Sequence, residues 1–170
     1  NLTWEGNFWT YLDLVKQDPK VARNAFQRVH DMILAWGVEH YNEYKKQITH
    51  YKFFDDPIEN GKDAVFGLDV SVMKLVNFLK SAALGYGTEK RVLLLHGPVG
   101  SSKSTIARLL KKGLEAYTRT DDGRLCTFKW VDPHGKAKHL FGATGELACP
   151  MHEEPLKLVP AEFRGKLVDE

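Results

Sequence analysis

The sequence predicts an α/β fold preceded by a small helical appendage. Three observations carry that expectation. Residues 91–96 form a short apolar run that stops at Gly97, the pattern of a strand covered on both faces of a parallel sheet. A loop rich in glycine and serine follows and ends at Lys103. Beyond it, Ile106, Leu109, Leu110 and Leu114 fall on one side of a helix expected over residues 104–117.

The elements follow in order along the chain. Within residues 7–16, Phe8, Leu12 and Val15 recur at helical spacing, and Trp9 and Tyr11 widen the apolar face. Asp18-Pro19 interrupts this helix; proline fits the first turn of a new one, with Asp18 as its cap. The second helix is expected over residues 20–36, where Val21, Ala25, Val29, Ile33 and Trp36 share a face before Gly37. Arg23, Arg28 and His30 read as its solvated basic face. Residues 41–62 are polar, aromatic and broken by Asp56-Pro57 and Asn60-Gly61. They read as a linker between a helical region of residues 1–40 and a main domain over residues 63–170. A third helix is expected over residues 69–84, with Val72, Leu75, Val76, Leu79 and Ala83 inward and Gly85-Tyr86-Gly87 ending it. After the loop and its helix, the chain turns at Asp121-Asp122-Gly123 and alternates over residues 125–131, as a hairpin or edge strand does. Residues 132–148 lack periodicity and read as a mobile loop.

Composition narrows the class of function. A chain of 170 residues, 43% apolar and 27% charged, has the make-up of an ordinary globular protein. Its formal charge of +2 argues for neither a nucleic-acid partner nor a membrane surface. No apolar run approaches the roughly 20 residues that span a bilayer. The N-terminal residues lack the basic flank and apolar core of a signal peptide. Cys126 and Cys149 are the only cysteines, which fits a reducing cytoplasm better than a disulfide framework. The missing initiator methionine points to an excerpt of a longer protein.

Strand, loop and helix together give the loop its chemistry. A phosphate-binding loop needs G-x-x-x-x-G-K-[ST] in this setting, so that successive N–H groups curl around phosphate and the helix N-terminus adds positive charge. Gly97, Pro98, Val99, Gly100, Ser101, Ser102, Lys103, Ser104 and Thr105 occupy it here. Lys103 supplies the ammonium for the β- and γ-phosphates, and Ser104 the hydroxyl that holds Mg²⁺. Thr105 is placed to donate to the α-phosphate. The expected ligand is a nucleoside triphosphate, ATP with Mg²⁺. One position departs from the pattern: Ser102 stands where glycine is expected, and its Cβ crowds the approach of phosphate.

Four blocks resemble the N-terminal part of the PrkA-type serine protein kinases, bacterial proteins with an AAA-like ATPase module. They are Trp4-Glu5-Gly6 with Tyr11-Leu12; Val65-Phe66-Gly67-Leu68-Asp69; residues 93–105, extended by Lys112-Gly113-Leu114-Glu115-Ala116-Tyr117; and Cys149-Pro150-Met151-His152-Glu153-Glu154-Pro155-Leu156. The resemblance implies the N-terminal portion of an AAA-like P-loop domain, incomplete in this chain. It makes Phe66 and Gly67 candidates for contact with the nucleotide base, and a homo-oligomer a candidate assembly. It also implies ATP-dependent serine phosphorylation of a protein substrate. Asp132 reads as a turn residue, and the block from Cys149 as a turn or contact surface rather than a metal site. The catalytic acid and arginine finger are then expected beyond Glu170, and no catalytic residue is assigned. Two other outputs fit the same residues: a protein-remodelling or ATP-dependent proteolytic machine, and an ATP sensor without turnover.

Overall fold

The computed structural model describes residues 4–142 and 144–169. The chain divides into two compact units, Arg23–Gly123 and the joined stretches Asn1–Ala22 and Arg124–Glu170. The described elements are mixed α and β. Helix α1 (Phe8–Gln17) starts at Asn7, whose side-chain oxygen accepts the Thr10 N–H at 3.0 Å. A single 3-10 turn, Pro19–Ala22, follows it. Helix α2 (Ala25–Ala35) opens on a reciprocal cap: the Asn24 side chain accepts from Gln27 N–H and the Gln27 side chain from Asn24 N–H, both at 2.9 Å. The helix expected over residues 20–36 is therefore corrected. The 3-10 turn ends at Ala22, and Asn24 starts a separate helix because its side chain accepts the Gln27 N–H that helix continuation would have paired.

Strands β1 (Val38–Glu43) and β2 (Lys46–Tyr51) pair antiparallel where the sequence reads as a linker. Their two-residue turn holds Tyr44 and Lys45 at φ 45° and 64°, the geometry that matches strand twist in a tight hairpin. Helix α3 spans Asp69–Ala83 and helix α4 spans Lys103–Tyr117. Strand β3 is limited to Lys129–Val131, helix α5 to Lys138–Phe141. Strand β4 (Glu146–Ala148) pairs with β3 inside the stretch expected to be a loop, and helix α6 (Ala161–Asp169) follows.

In the unit Arg23–Gly123 the core joins Met32 and Ile33 of α2, Phe53 and Phe54 after the hairpin, Val65, the inner stripe of α3, and Ile106 and Leu109 of α4. Burying each large apolar side chain contributes about 1.5–3 kcal/mol. Gly113 lets α4 come close: a Cβ there would lie 2.4 Å from both Met32 Sδ and Phe53 Cε2. A mid-helix glycine costs about 1 kcal/mol against alanine, and the helix packing explains its presence. This contact seats the helix that begins at Lys103.

In the other unit, Tyr11, Leu12, Val15 and Val21 are buried, with Phe8, Cys126, Leu156 and Leu167 packed on them. The Tyr11 hydroxyl donates to the Glu154 carboxylate, so the first and last of the family-like blocks meet. No described helix is long and apolar enough to cross a membrane.

The expected parallel sheet is not formed among the described residues. The two sheets are local antiparallel pairs, and residues 92–96 belong to no helix or strand. Val92, Leu93, Leu94 and Leu95 are 94%, 42%, 80% and 37% exposed. A strand needs a neighbour for its N–H and C=O groups. None of the described strands pairs with this run.

Candidate phosphate-binding site

The loop of residues 97–105 curls where two residues take left-handed backbone angles, Gly100 at φ 82° and Ser102 at φ 56°. Ser101 closes the turn, donating its hydroxyl to the Pro98 carbonyl at 2.8 Å. The Ile106 N–H bonds the Ser102 carbonyl at 2.8 Å and starts the α4 ladder. The curl leaves a cleft of about 390 Å³ lined by residues 99–105. Ser102 makes no side-chain cap, and the first turn of α4 holds no acid. The helix therefore offers its N-terminus without a competing negative group.

Lys103 folds back over the loop. Its ammonium donates to the Gly97 carbonyl at 2.9 Å, the Pro98 carbonyl at 2.5 Å and the Ser101 hydroxyl at 2.8 Å. Ser104 is exposed on the first turn and Thr105 half-buried beside it. Phe66 and Gly67 are not among the residues lining the cleft. Phe66 is 81% exposed, and Gly67 sits at φ 70° with nothing within 4 Å of where a Cβ would be.

A charged cluster that sequence reasoning missed joins α4 to the loop before Val65. Arg108 grips Asp63 with two bonds, Nε to Oδ2 at 2.9 Å and Nη2 to Oδ1 at 2.6 Å. Lys112 Nζ reaches Asp56 at 2.9 Å, Glu59 at 3.1 Å and Asp63 at 3.5 Å. The three carboxylates lie within 4.8 Å of one another, and the lysine supplies the positive charge between them. Burial pushes the Asp56 carboxyl up, but the Lys112 ammonium and the N–H groups of Asp63 and Glu59 outweigh it and hold it below its ordinary value. The signal was available: Arg108 and Lys112 are four apart on a helix, and acids stand at 56, 59 and 63.

A second cluster holds the start of α3. His50 on β2 sits between Asp69, at 2.7 Å from Nδ1, and Asp55, at 2.9 Å from Nε2. The hydrogen bonds to Asp69 and then Asp55 raise its pKa above the ordinary 6.5. Tyr41 of β1 adds a bond to the other Asp69 oxygen at 3.1 Å.

Asp132 accepts the N–H groups of Ala137 at 2.7 Å and His134 at 3.3 Å, and thereby organises a turn. These bonds, led by that from Ala137, lower its pKa. The block from Cys149 forms a turn in which the His152 N–H bonds the Cys149 carbonyl at 3.1 Å and His152 takes φ 48°. Burial raises the pKa of Glu154, the partner of Tyr11.

Comparison with known proteins adds to this geometry. The model of the PrkA AAA domain matches residues 6–170. A Bacillus subtilis protein named ATP-dependent protease PrkA is 40% identical over 164 residues, 96% of this chain. The chain spans only 21% of that relative's length. A Geobacillus stearothermophilus protein named for its position in the gldA 5′ region is 37% identical over 54% of the chain and 84% of its own length. The Escherichia coli protein named serine/threonine kinase YeaG is 41% identical over 46 residues, 27% of this chain and 7% of its own length. No solved structure matches the chain.

Proposed function

The chain belongs to the PrkA AAA domain family, and from that premise we propose that it binds MgATP on residues 97–105. One observation carries the reading: a curled loop and an uncapped helix N-terminus converge with the Lys103 ammonium, with no acid in that first turn. Such a site favours a polyanion, since N–H groups and helix charge point at it. Lys103 exchanges loop carbonyls for β- and γ-phosphate oxygens, and Ser104 offers its hydroxyl to Mg²⁺, whose charge offsets that of the phosphates. Phe66 and Gly67 contact the base when nucleotide is bound.

The test is calorimetric titration of the protein and of Lys103→Ala with ATP and AMP. Losing a charge-assisted contact of roughly 1.5–3 kcal/mol lowers ATP affinity about 10- to 150-fold. AMP, which lacks the β- and γ-phosphates, should lose far less. Equal losses for both would mean general damage to the loop and would sink the reading.

For the whole protein, placed in the cytoplasm, we propose ATP-dependent phosphorylation of serine in a protein substrate, by an assembly of identical AAA-like modules. A specific observation favours a second output. The relative that matches nearly all of this chain is named a protease, whereas the relatives named kinases match a short part of it. Incubating the whole protein with ATP and casein separates them. Phosphate transfer without cleavage supports the kinase reading, and ATP-dependent cleavage supports the protease. ADP release with neither points to a remodelling ATPase, and ATP binding without turnover to a sensor.

A further inference from the structure

We infer that Arg108 and Lys112 are positioning residues that set the base-binding segment at residues 66–67 against the phosphate loop. The inference rests on the nucleotide-binding reading above and extends it to residues that touch no nucleotide. Its basis is connectivity within one unit. Arg108 and Lys112 stand on the helix that begins at Lys103, five and nine residues on. At 1.5 Å of rise per residue, Arg108 lies about 7.5 Å along the axis from the phosphate lysine. Its partner Asp63 precedes Phe66 by three residues, a reach of at most about 11 Å. The Arg108–Asp63 pair thus joins the two halves of a nucleotide site through a short, doubly bonded link.

The link is built to be stiff. The Arg108–Asp63 contact is a two-point fork, which fixes orientation as well as distance. Asp56 is fully buried and accepts the Asp63 N–H at 2.9 Å, so the backbone at Asp63 is held as well as its side chain. Two residues on, the Val65 N–H bonds the Phe54 carbonyl at 2.9 Å and its side chain is buried in the core. Asp69, at the far end of the segment, is bound by His50. Between these anchors only residues 66 and 67 are fully exposed. A segment clamped at both ends holds its backbone at a fixed place, with Phe66 exposed at the apex. The clamp on the Asp63 side is the one tied to the phosphate helix.

The experiment compares affinity for ATP, which spans both halves, with affinity for inorganic tripolyphosphate, which needs the phosphate loop alone. Arg108→Gln, Lys112→Met and Lys112→Arg are titrated with both ligands, alongside the parent protein and Lys103→Ala, with thermal midpoints recorded for each. The expected result is that Arg108→Gln and Lys112→Met weaken ATP binding roughly 2- to 30-fold while tripolyphosphate binding stays near its parent value. Lys112→Arg should recover most of the loss. The Arg108 side chain is 60% exposed, so Arg108→Gln keeps the fold even if Lys112→Met does not. Unchanged ATP affinity in Arg108→Gln overturns the inference, as does equal weakening for both ligands. If Lys103→Ala binds ATP as the parent does, the nucleotide-binding reading falls and takes this inference with it. A failed clasp with an intact Lys103 effect leaves that reading standing.

Discussion

At the scale of single residues, Ser102 carries the clearest physical tension. It occupies φ 56°, ψ 14°, a left-handed state that costs an L-residue roughly 1–2 kcal/mol. Glycine removes that cost but adds about 0.5–1 kcal/mol of chain entropy to be lost. Ser102→Gly should therefore favour the curled loop slightly, tightening ATP binding by less than about tenfold. Paired calorimetric titrations and melting curves check this. A raised midpoint with unchanged affinity would show that the curl is complete before nucleotide arrives. Weaker binding by the glycine variant would mean that the serine hydroxyl donates to phosphate, and the strain argument would be lost. The turn ahead of α4 was legible in the sequence because its glycine and serine pattern is local to the loop. The left-handed state at 102 was legible only as a departure from the expected glycine. The two halves of the Arg108–Asp63 pair each show as a local charge pattern, but their pairing joins positions 45 residues apart, and only the fold brings them together.

At the scale of elements, helices were legible and hairpins only in part. Helices α1, α3 and α4 repeat their apolar residues every three or four positions over ten to fifteen residues, long enough for the period to show. The β1–β2 turn is made by Tyr44-Lys45 rather than Asn-Gly or Asp-Gly, so the usual hairpin signal is missing. Strand β3 falls inside the alternating stretch of residues 125–131 read as a hairpin or edge strand, whereas its three-residue partner β4 lies where a loop was expected. The hairpin then brings in His50, whose two ring nitrogens both face carboxylates, an arrangement only the imidazolium satisfies. Since its folded pKa lies above 6.5, the contribution is full below the unfolded value and lost as pH rises through the folded one. Melting midpoints of the protein and of His50→Gln, measured from about pH 6 to about pH 9, should show the parent's advantage shrinking with rising pH. A constant gap would mean that His50 acts through packing alone.

At the scale of the molecule, the apolar run before the loop decides what kind of surface the described chain presents. The sequence pattern of residues 91–96 reads as a covered strand, yet residues 92–96 form no strand and none of the described strands pairs with them. Four consecutive apolar side chains from Val92 to Leu95 stand at least 37% exposed. An exposed apolar run of that kind invites association between copies. Two consequences separate an uncovered run from a buried one. Leu94→Lys removes a side chain that is 80% exposed, so the fold of this chain should lose no more than about 0.5 kcal/mol. The same change should lower aggregation, read by light scattering over a concentration series, by placing a charge in the middle of the run. A buried leucine would behave in the opposite way, because inserting an unpaired charge into a core costs several kcal/mol and exposes more apolar surface. If Leu94→Lys drops the melting midpoint steeply and increases scattering, the run is covered in solution.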